Sequence, residues 1–132
     1  MTRTFFYKKV PSEKHRAIYE TVRRANAAAE AILKPGVPLC EVDKAARQII
    51  EDAGYGPNFT HRLGHFIGLE VHEYGDVSSA NTKVAEVGNI FSIEPGIYVE
   101  GEVGVRIEDL VLITEDGCEI LNSFSKELDI VE

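Results

Sequence analysis

The sequence predicts an α+β fold, with two helices near the start of the chain and an antiparallel β-sheet after them. Apolar residues recur at helical spacing in two segments before residue 54. From residue 61 onward, short runs rich in β-branched residues alternate with glycine-containing turns, as is typical of hairpins. The length of 132 residues suits one domain over residues 1–132, and 44% hydrophobic residues suit a globular core.

The elements before residue 60 are predicted from caps and breakers. A Thr- and Phe-rich run over Thr2–Tyr7 indicates a strand. Ser12 is a favourable N-cap for a first helix, which Pro35 ends. A second helix is predicted over Glu41–Ala53 with Gly54 as its stop, and a loop follows it.

Charge and cysteine content exclude several classes of function. The net charge is −8 and no basic block is present, so neither nucleic acid nor an anionic membrane is an expected partner. No apolar run reaches membrane-spanning length. Cys40 and Cys118 lie in unrelated segments without a CxxC spacing, which favours reduced thiols and a cytoplasmic protein.

Three of the four histidines lie in one stretch, residues 61–72, which reads HRLGHFIGLEVH. In a strand, His61 and His65 would share a face, whereas His72 has opposite parity and needs a bend, which Gly68 can supply. The spacing is not HExxH, so a zinc-binding helix of that type is not predicted. The polar residues 73–85 that follow are predicted to form a surface loop, with part of a pocket rim as the alternative.

Two further segments, residues 89–99 and 104–113, are predicted to pair as an antiparallel hairpin around Gly101. If pairing is centred there, opposed residues have numbers that sum to 202, and Glu94 then faces Glu108. A bulge at Pro95 would shift this register by one residue. The chain is expected to end in a short strand over residues 118–121 and an extended piece over residues 128–131.

Two glutamates that face each other across a partly covered sheet repel each other. Either one carboxyl keeps its proton or a cation bridges both, and the nearby histidines favour a metal ion. The alternative is that Glu94 and Glu108 are an ordinary solvent-facing pair.

The stretches HRLGHFIGLEVHE and FSIEPGIYVEGEVGVRIEDLVLITEDGCEIL resemble the C-terminal half of the catalytic domain of the pita-bread metallopeptidases. Within this creatinase and methionine aminopeptidase-like family, the chain is most similar to the prolidase and Xaa-Pro aminopeptidase branch. The resemblance implies half of a pita-bread fold, a curved antiparallel sheet with two helices packed on one face. It also implies hydrolysis of proline-containing peptides at a centre of two divalent ions, manganese, cobalt or zinc.

The resemblance assigns a role to each candidate residue. His65, Glu94 and Glu108 match metal ligands, and Glu94 would also take part in proton transfer. His72 matches a histidine that contacts the substrate, and His61 matches a further histidine of the pocket. Arg106 would orient the carboxylates from behind.

The chain also departs from the family pattern. The family has two aspartate ligands upstream of His65, and neither is present, so we expect a truncated chain that binds one metal ion or none and is not active alone. Phe66 stands where the family usually has glycine, and its ring would either crowd the pocket or pack behind the strand. A homodimer could cover the exposed surface of the half-fold. The alternative function is a non-catalytic module of this fold that binds peptides or protein partners.

Overall fold

Two helices and nine short strands make up the computed structural model, which describes residues 1–132 and has the predicted α+β fold. The helices are α1 (Glu13–Ala31) and α2 (Leu39–Asp52), and a 3-10 turn covers Gly56–Asn58 where a loop was predicted. The strands are β1 (Phe6–Tyr7), β2 (Gly64–Phe66), β3 (Glu73–Val77), β4 (Ile90–Ile93), β5 (Gly96–Val99), β6 (Val103–Arg106), β7 (Asp109–Ile113), β8 (Cys118–Ile120) and β9 (Ile130–Val131). Neither helix is long and apolar enough to cross a membrane.

The two helices pack against each other and bury their apolar faces against the strands. Helix α1 begins as predicted, because the Ser12 hydroxyl accepts a hydrogen bond from the His15 amide. Helix α2 begins at Leu39, two residues before the predicted start. Its first amides need no capping side chain, because the carbonyls of Lys83 and Asn81 accept the hydrogen bonds of Leu39 and Cys40.

A five-stranded antiparallel sheet has the strand order β3-β2-β4-β7-β8. The predicted loop over residues 73–85 was wrong at its start, because residues 73–77 form edge strand β3 on β2. Strand β3 pairs with a neighbour along one edge only, and its other edge has no strand partner. Its residues can therefore be polar, and their composition resembles that of a loop. Gly75, at φ 113°, and a register shift after His65 make the pairing irregular.

The predicted hairpin is present in the predicted register but is divided in two. Pairs such as Ile93 with Asp109 and Gly96 with Arg106 all sum to 202, so Pro95 introduces no bulge. The strands separate between these pairs, which makes β5-β6 a sheet of its own. The long strands expected over 89–99 and 104–113 are therefore four short ones.

The two ends of the chain lie side by side. Strand β1 pairs with β9 in parallel, over two residues each, so both terminal strands are shorter than predicted. Thr2, expected in the first strand, instead forms an isolated antiparallel bridge with Glu108. This bridge brings the first residues of the chain to the opening in the hairpin.

Candidate metal centre

The opening in the hairpin lies at Glu94 and Glu108. The backbone amides of both residues form hydrogen bonds with segments outside the hairpin. The Glu94 amide donates to the Leu63 carbonyl at 2.7 Å, just before β2. The Glu108 amide donates to the Thr2 carbonyl at 3.0 Å, and the Thr2 amide donates back to the Glu108 carbonyl at 3.3 Å. The interruption therefore costs little hydrogen bonding, and it directs both glutamates towards one space.

His65 completes a cluster with the two glutamates. One ligand atom from each of His65, Glu94 and Glu108 lies within 4.8 Å of the other two. His65 Nε2 is 3.5 Å from Glu94 Oε2. His65 Nδ1 is 2.9 Å from the Phe66 carbonyl, which can only accept, so Nδ1 carries the hydrogen and Nε2 presents its lone pair to the cluster.

Burial and mutual contact separate the protonation behaviour of the two glutamates. Burial raises the pKa of Glu94, and the hydrogen bond and negative charge of Glu108 act in the same direction. Burial also raises the pKa of Glu108, but hydrogen bonds from Thr2 and Glu94 outweigh it and leave that pKa below its ordinary value. Without a cation, Glu94 is therefore the carboxyl of the pair that takes up a proton first as the pH falls. A divalent cation would replace that proton.

The three donors fit a divalent metal ion. Two carboxylates and an imidazole form a ligand set that suits manganese, cobalt or zinc. Their side chains are 7% to 18% exposed, so an ion here would be shielded on the protein side and reachable from solvent. The carboxylates are held together although they repel each other, which is the arrangement that a bound cation stabilises.

His72 and His61, the other histidines of the stretch 61–72, differ in how close they lie to this cluster. The His72 ring is exposed and stacks obliquely on His65, with 4.1 Å between ring centroids. His61 precedes β2 rather than sharing a strand with His65, and it contacts Tyr98 and the edge of Phe59. Only His72 therefore touches the cluster directly.

His61 is nevertheless connected to Glu108 by a chain of polar contacts. The Tyr98 hydroxyl donates to His61 Nε2 at 2.7 Å and accepts from Arg106 at 3.4 Å. Arg106 Nε lies 3.4 Å from the Thr2 hydroxyl, which donates to Glu108 Oε2 at 2.5 Å. Arg106 was expected to orient carboxylates, and it reaches Glu108 through Thr2 rather than by an ion pair.

Phe66 packs behind the strand. Its ring lies on buried Phe91, with 5.4 Å between centroids, and close to the backbone of Gly75. The phenyl ring therefore fills space beside the sheet and does not crowd the cluster.

Sequence reasoning did not single out Thr2, Ser92 or Tyr98, all of which support the site. Ser92 is fully buried, and its hydroxyl accepts a hydrogen bond from the His65 amide at 3.0 Å. Ser92 and Tyr98 share the parity of Glu94 in the hairpin, and that shared face was the available signal. Thr2 gave no signal, because it pairs with a residue 106 positions away.

Comparisons with known proteins identify the family of the chain. A family model described as metallopeptidase family M24 matches residues 1–115. An uncharacterised peptidase of Staphylococcus haemolyticus is 53% identical over 126 residues, covering 96% of this chain and 36% of that protein. A related peptidase of Staphylococcus epidermidis is 51% identical over the same length. The chain thus spans about a third of the length of the curated relatives it matches.

The chain is also similar to solved structures of peptidases. The prolidase of Pyrococcus horikoshii is 46% identical and superposes with a TM-score of 0.87, covering 90% of this chain and 34% of that one. A Xaa-Pro dipeptidase of Bacillus anthracis is 39% identical with a TM-score of 0.94, covering 98% of this chain and 36% of that one.

Proposed function

Because the chain belongs to metallopeptidase family M24, we propose that it forms part of a metal-dependent peptidase of the Xaa-Pro dipeptidase or aminopeptidase type. Its two helices and mostly antiparallel sheet form half of a pita-bread fold. The observation that carries the proposal is the convergence of His65, Glu94 and Glu108 within 4.8 Å. Similarity to prolidases and a Xaa-Pro dipeptidase supports proline-containing peptides as the substrate class.

We propose that His65, Glu94 and Glu108 hold a divalent metal ion through Nε2 and the carboxylate oxygens. Manganese, cobalt and zinc all suit these donors. When bound, the ion would supply Lewis-acid polarisation of the scissile carbonyl and activation of water. Glu108 would remain an ionised ligand, because Thr2 donates a hydrogen bond to it.

The protein side chains would handle the proton and the substrate. Glu94 is the carboxyl of the pair that holds a proton more readily, so it suits proton transfer during hydrolysis. His72 lies at the exposed edge of the cluster and can meet a substrate that approaches from solvent. His61, fixed by Tyr98, would line the pocket beyond it.

These 132 residues supply three ligand residues to the proposed site. A pair of metal ions needs more donors than that, so we infer that the chain by itself binds one ion weakly and does not hydrolyse peptides. Peptidase activity is proposed for a longer protein of the length of the relatives.

The experiment is a manganese titration of the 132-residue chain by calorimetry, together with thermal melting. We expect about one ion per chain and a rise in melting temperature. Glu108→Gln should abolish both, whereas Glu115→Gln, on an exposed turn, should leave both unchanged. Absence of binding to the unaltered chain would contradict the metal site and favour the non-catalytic peptide-binding module.

A homodimer and a cytoplasmic location stay predictions. Exposed apolar side chains on and beside edge strand β3, including Leu69, Val71 and Tyr74, are consistent with an interface. Light scattering at micromolar concentration tests the dimer, and a monomeric mass would contradict it.

A further inference from the structure

A second cluster of charged side chains lies directly behind the candidate metal centre, around Asp109. The Asp109 side chain is fully buried although it neighbours Glu108 in sequence. Its Oδ1 accepts hydrogen bonds from Arg3 and Asn122, each at 2.6 Å, and its Oδ2 accepts one from Lys126 at 2.9 Å. A buried carboxylate with two cationic partners and an amide is a demanding arrangement to build for stability alone.

Arg3 connects this cluster to Glu108. While one of its nitrogens binds Asp109, another donates to the carbonyls of Glu108, at 2.8 Å, and Thr2, at 2.9 Å. These are the two carbonyls through which Thr2 and Glu108 pair. Arg3 therefore fastens the bridge from which the Thr2 hydroxyl reaches the Glu108 carboxylate.

Lys126 connects the same cluster to the other glutamate. Its ammonium donates to Glu30 at 2.9 Å and to Asn26 at 2.8 Å, both on α1. The Asn26 amide donates to the carbonyl of Ile93, the residue before Glu94, at 3.3 Å. The cluster around Asp109 thus reaches the backbone on both sides of the opening in the hairpin.

We propose that Asp109 is a positioning residue that, through Arg3 and Lys126, sets the separation of the Glu94 and Glu108 carboxylates needed to hold a cation. The C-terminal segment takes part in this, because it supplies Asn122 and Lys126. The inference rests on the proposed metal site, and it adds residues that contact neither an ion nor a substrate. Removing such hydrogen-bond partners behind ligands typically weakens metal affinity by about 10- to 100-fold.

The test compares manganese affinity in Asp109→Asn and Lys126→Met with the unaltered chain. Asp109→Asn preserves shape but removes the charge that holds Arg3, and Lys126→Met preserves the apolar stem. We expect the dissociation constant to rise about 10-fold or more in both. Lys14→Met, which removes a surface ion pair with Glu102, should leave it unchanged. All titrations are run at a temperature at which circular dichroism shows each variant folded.

A second measurement needs no metal. Hydrogen exchange of the Glu108 amide, which donates to Thr2 just before β7, is compared with that of the Ile113 amide at the end of β7, which donates to the Asn89 carbonyl. We expect Lys126→Met and Asp109→Asn to lose protection at Glu108 by about 10-fold or more relative to Ile113. A purely structural role would speed exchange at both amides equally.

The two measurements separate the two proposals. Unaltered manganese affinity in folded Asp109→Asn and Lys126→Met, with equal exchange at both amides, would overturn the positioning role while leaving the metal site in place. If the unaltered chain binds no manganese but Glu108 loses protection selectively in the variants, the proposed metal site fails and the positioning of Glu108 stands.

Discussion

Glu94 and Glu108 face each other at the point where the two strands of a hairpin separate. The pairs on either side of them keep one register, so the opening is not a slip in pairing. Pro95 has no amide hydrogen to donate there, and Leu63 and Thr2 take up the backbone bonds of the glutamates. The hairpin thus opens for its two carboxylates without losing its alignment.

The two glutamates should respond unequally to neutralisation when no metal is present. Glu108→Gln removes the charge that accepts the Thr2 hydroxyl, so we expect the free energy of unfolding to fall by about 1 kcal/mol or more. Glu94→Gln removes a carboxyl that repels Glu108, so it should leave that free energy unchanged or higher. Urea unfolding at neutral pH measures both values, and equal losses would contradict the asymmetry.

Gly64 should not tolerate any side chain. A Cβ there would lie 1.8 Å from the Ser92 carbonyl oxygen, a backbone atom of the neighbouring strand. Gly64→Ala must push β2 off β4 and displace His65, so we expect a loss of about 3 kcal/mol or more. Gly117→Ala is the matched control, because a Cβ at Gly117 meets nothing within 4 Å. Similar stability of the two variants would show that β2 can shift without cost.

Glu30 should make stability fall as pH rises. The pKa of Glu30 is raised from 4.5 to about 7, chiefly by burial. A hydrogen bond with Asp109 also raises this pKa, whereas Lys126 lowers it. Because the folded chain then holds this proton more tightly than the unfolded chain, stability falls between pH 4.5 and about 7. Glu30→Gln should remove roughly 1–3 kcal/mol of that decline. Urea unfolding across this range measures the slope.

The control for that measurement is Glu119→Gln, at an exposed carboxyl of β8. It should keep the slope of the unaltered chain. If Glu30→Gln keeps that slope too, the buried Glu30 carboxyl beside Lys126 is not the source of the pH dependence.

Tyr98 should hold the His61 imidazole in place through a hydrogen bond to Nε2. Its hydroxyl donates to His61 Nε2, while His61 Nδ1 lies 2.7 Å from the Arg62 carbonyl and donates to it. Tyr98→Phe should cost about 0.5–1.5 kcal/mol and shift the His61 Nε2 signal in nitrogen-15 NMR spectra, because Nε2 loses its hydrogen-bond donor while Nδ1 still donates to the Arg62 carbonyl. Tyr74→Phe, at a side chain 94% exposed, should change neither. An unchanged Nε2 signal in Tyr98→Phe would contradict the hydrogen bond between Tyr98 and His61.

Much of this arrangement follows from local pattern, and what does not follow is non-local. The hairpin register could be predicted, because Gly101 and the alternation around it fix which residues face each other. The start of α1 was predicted correctly, because the Ser12 side chain caps the helix. The start of α2 at Leu39 was not, because carbonyls from a distant segment accept the hydrogen bonds of its first amides. Strand β3 was missed because an exposed edge strand selects polar residues, as loops do.

Some residues of the candidate site could be predicted from the sequence and others could not. His65, Glu94 and Glu108 stood out by residue type and spacing, and the fold brings them together. Thr2, Arg3 and Lys126 did not, because their partners lie about a hundred residues away or behind the sheet. Periodicity describes which face a residue occupies, but it carries no information about which distant segment covers that face.

The bridge between Thr2 and Glu108 has a kinetic consequence. It closes a loop of nearly the whole chain, 106 positions, and such contacts form late in folding because ordering so long a loop is entropically unfavourable. We therefore expect a site that depends on this bridge to be absent from the folding transition state. A bound ion would therefore slow unfolding while leaving the folding rate nearly unchanged, and it would lengthen the lifetime of the native chain.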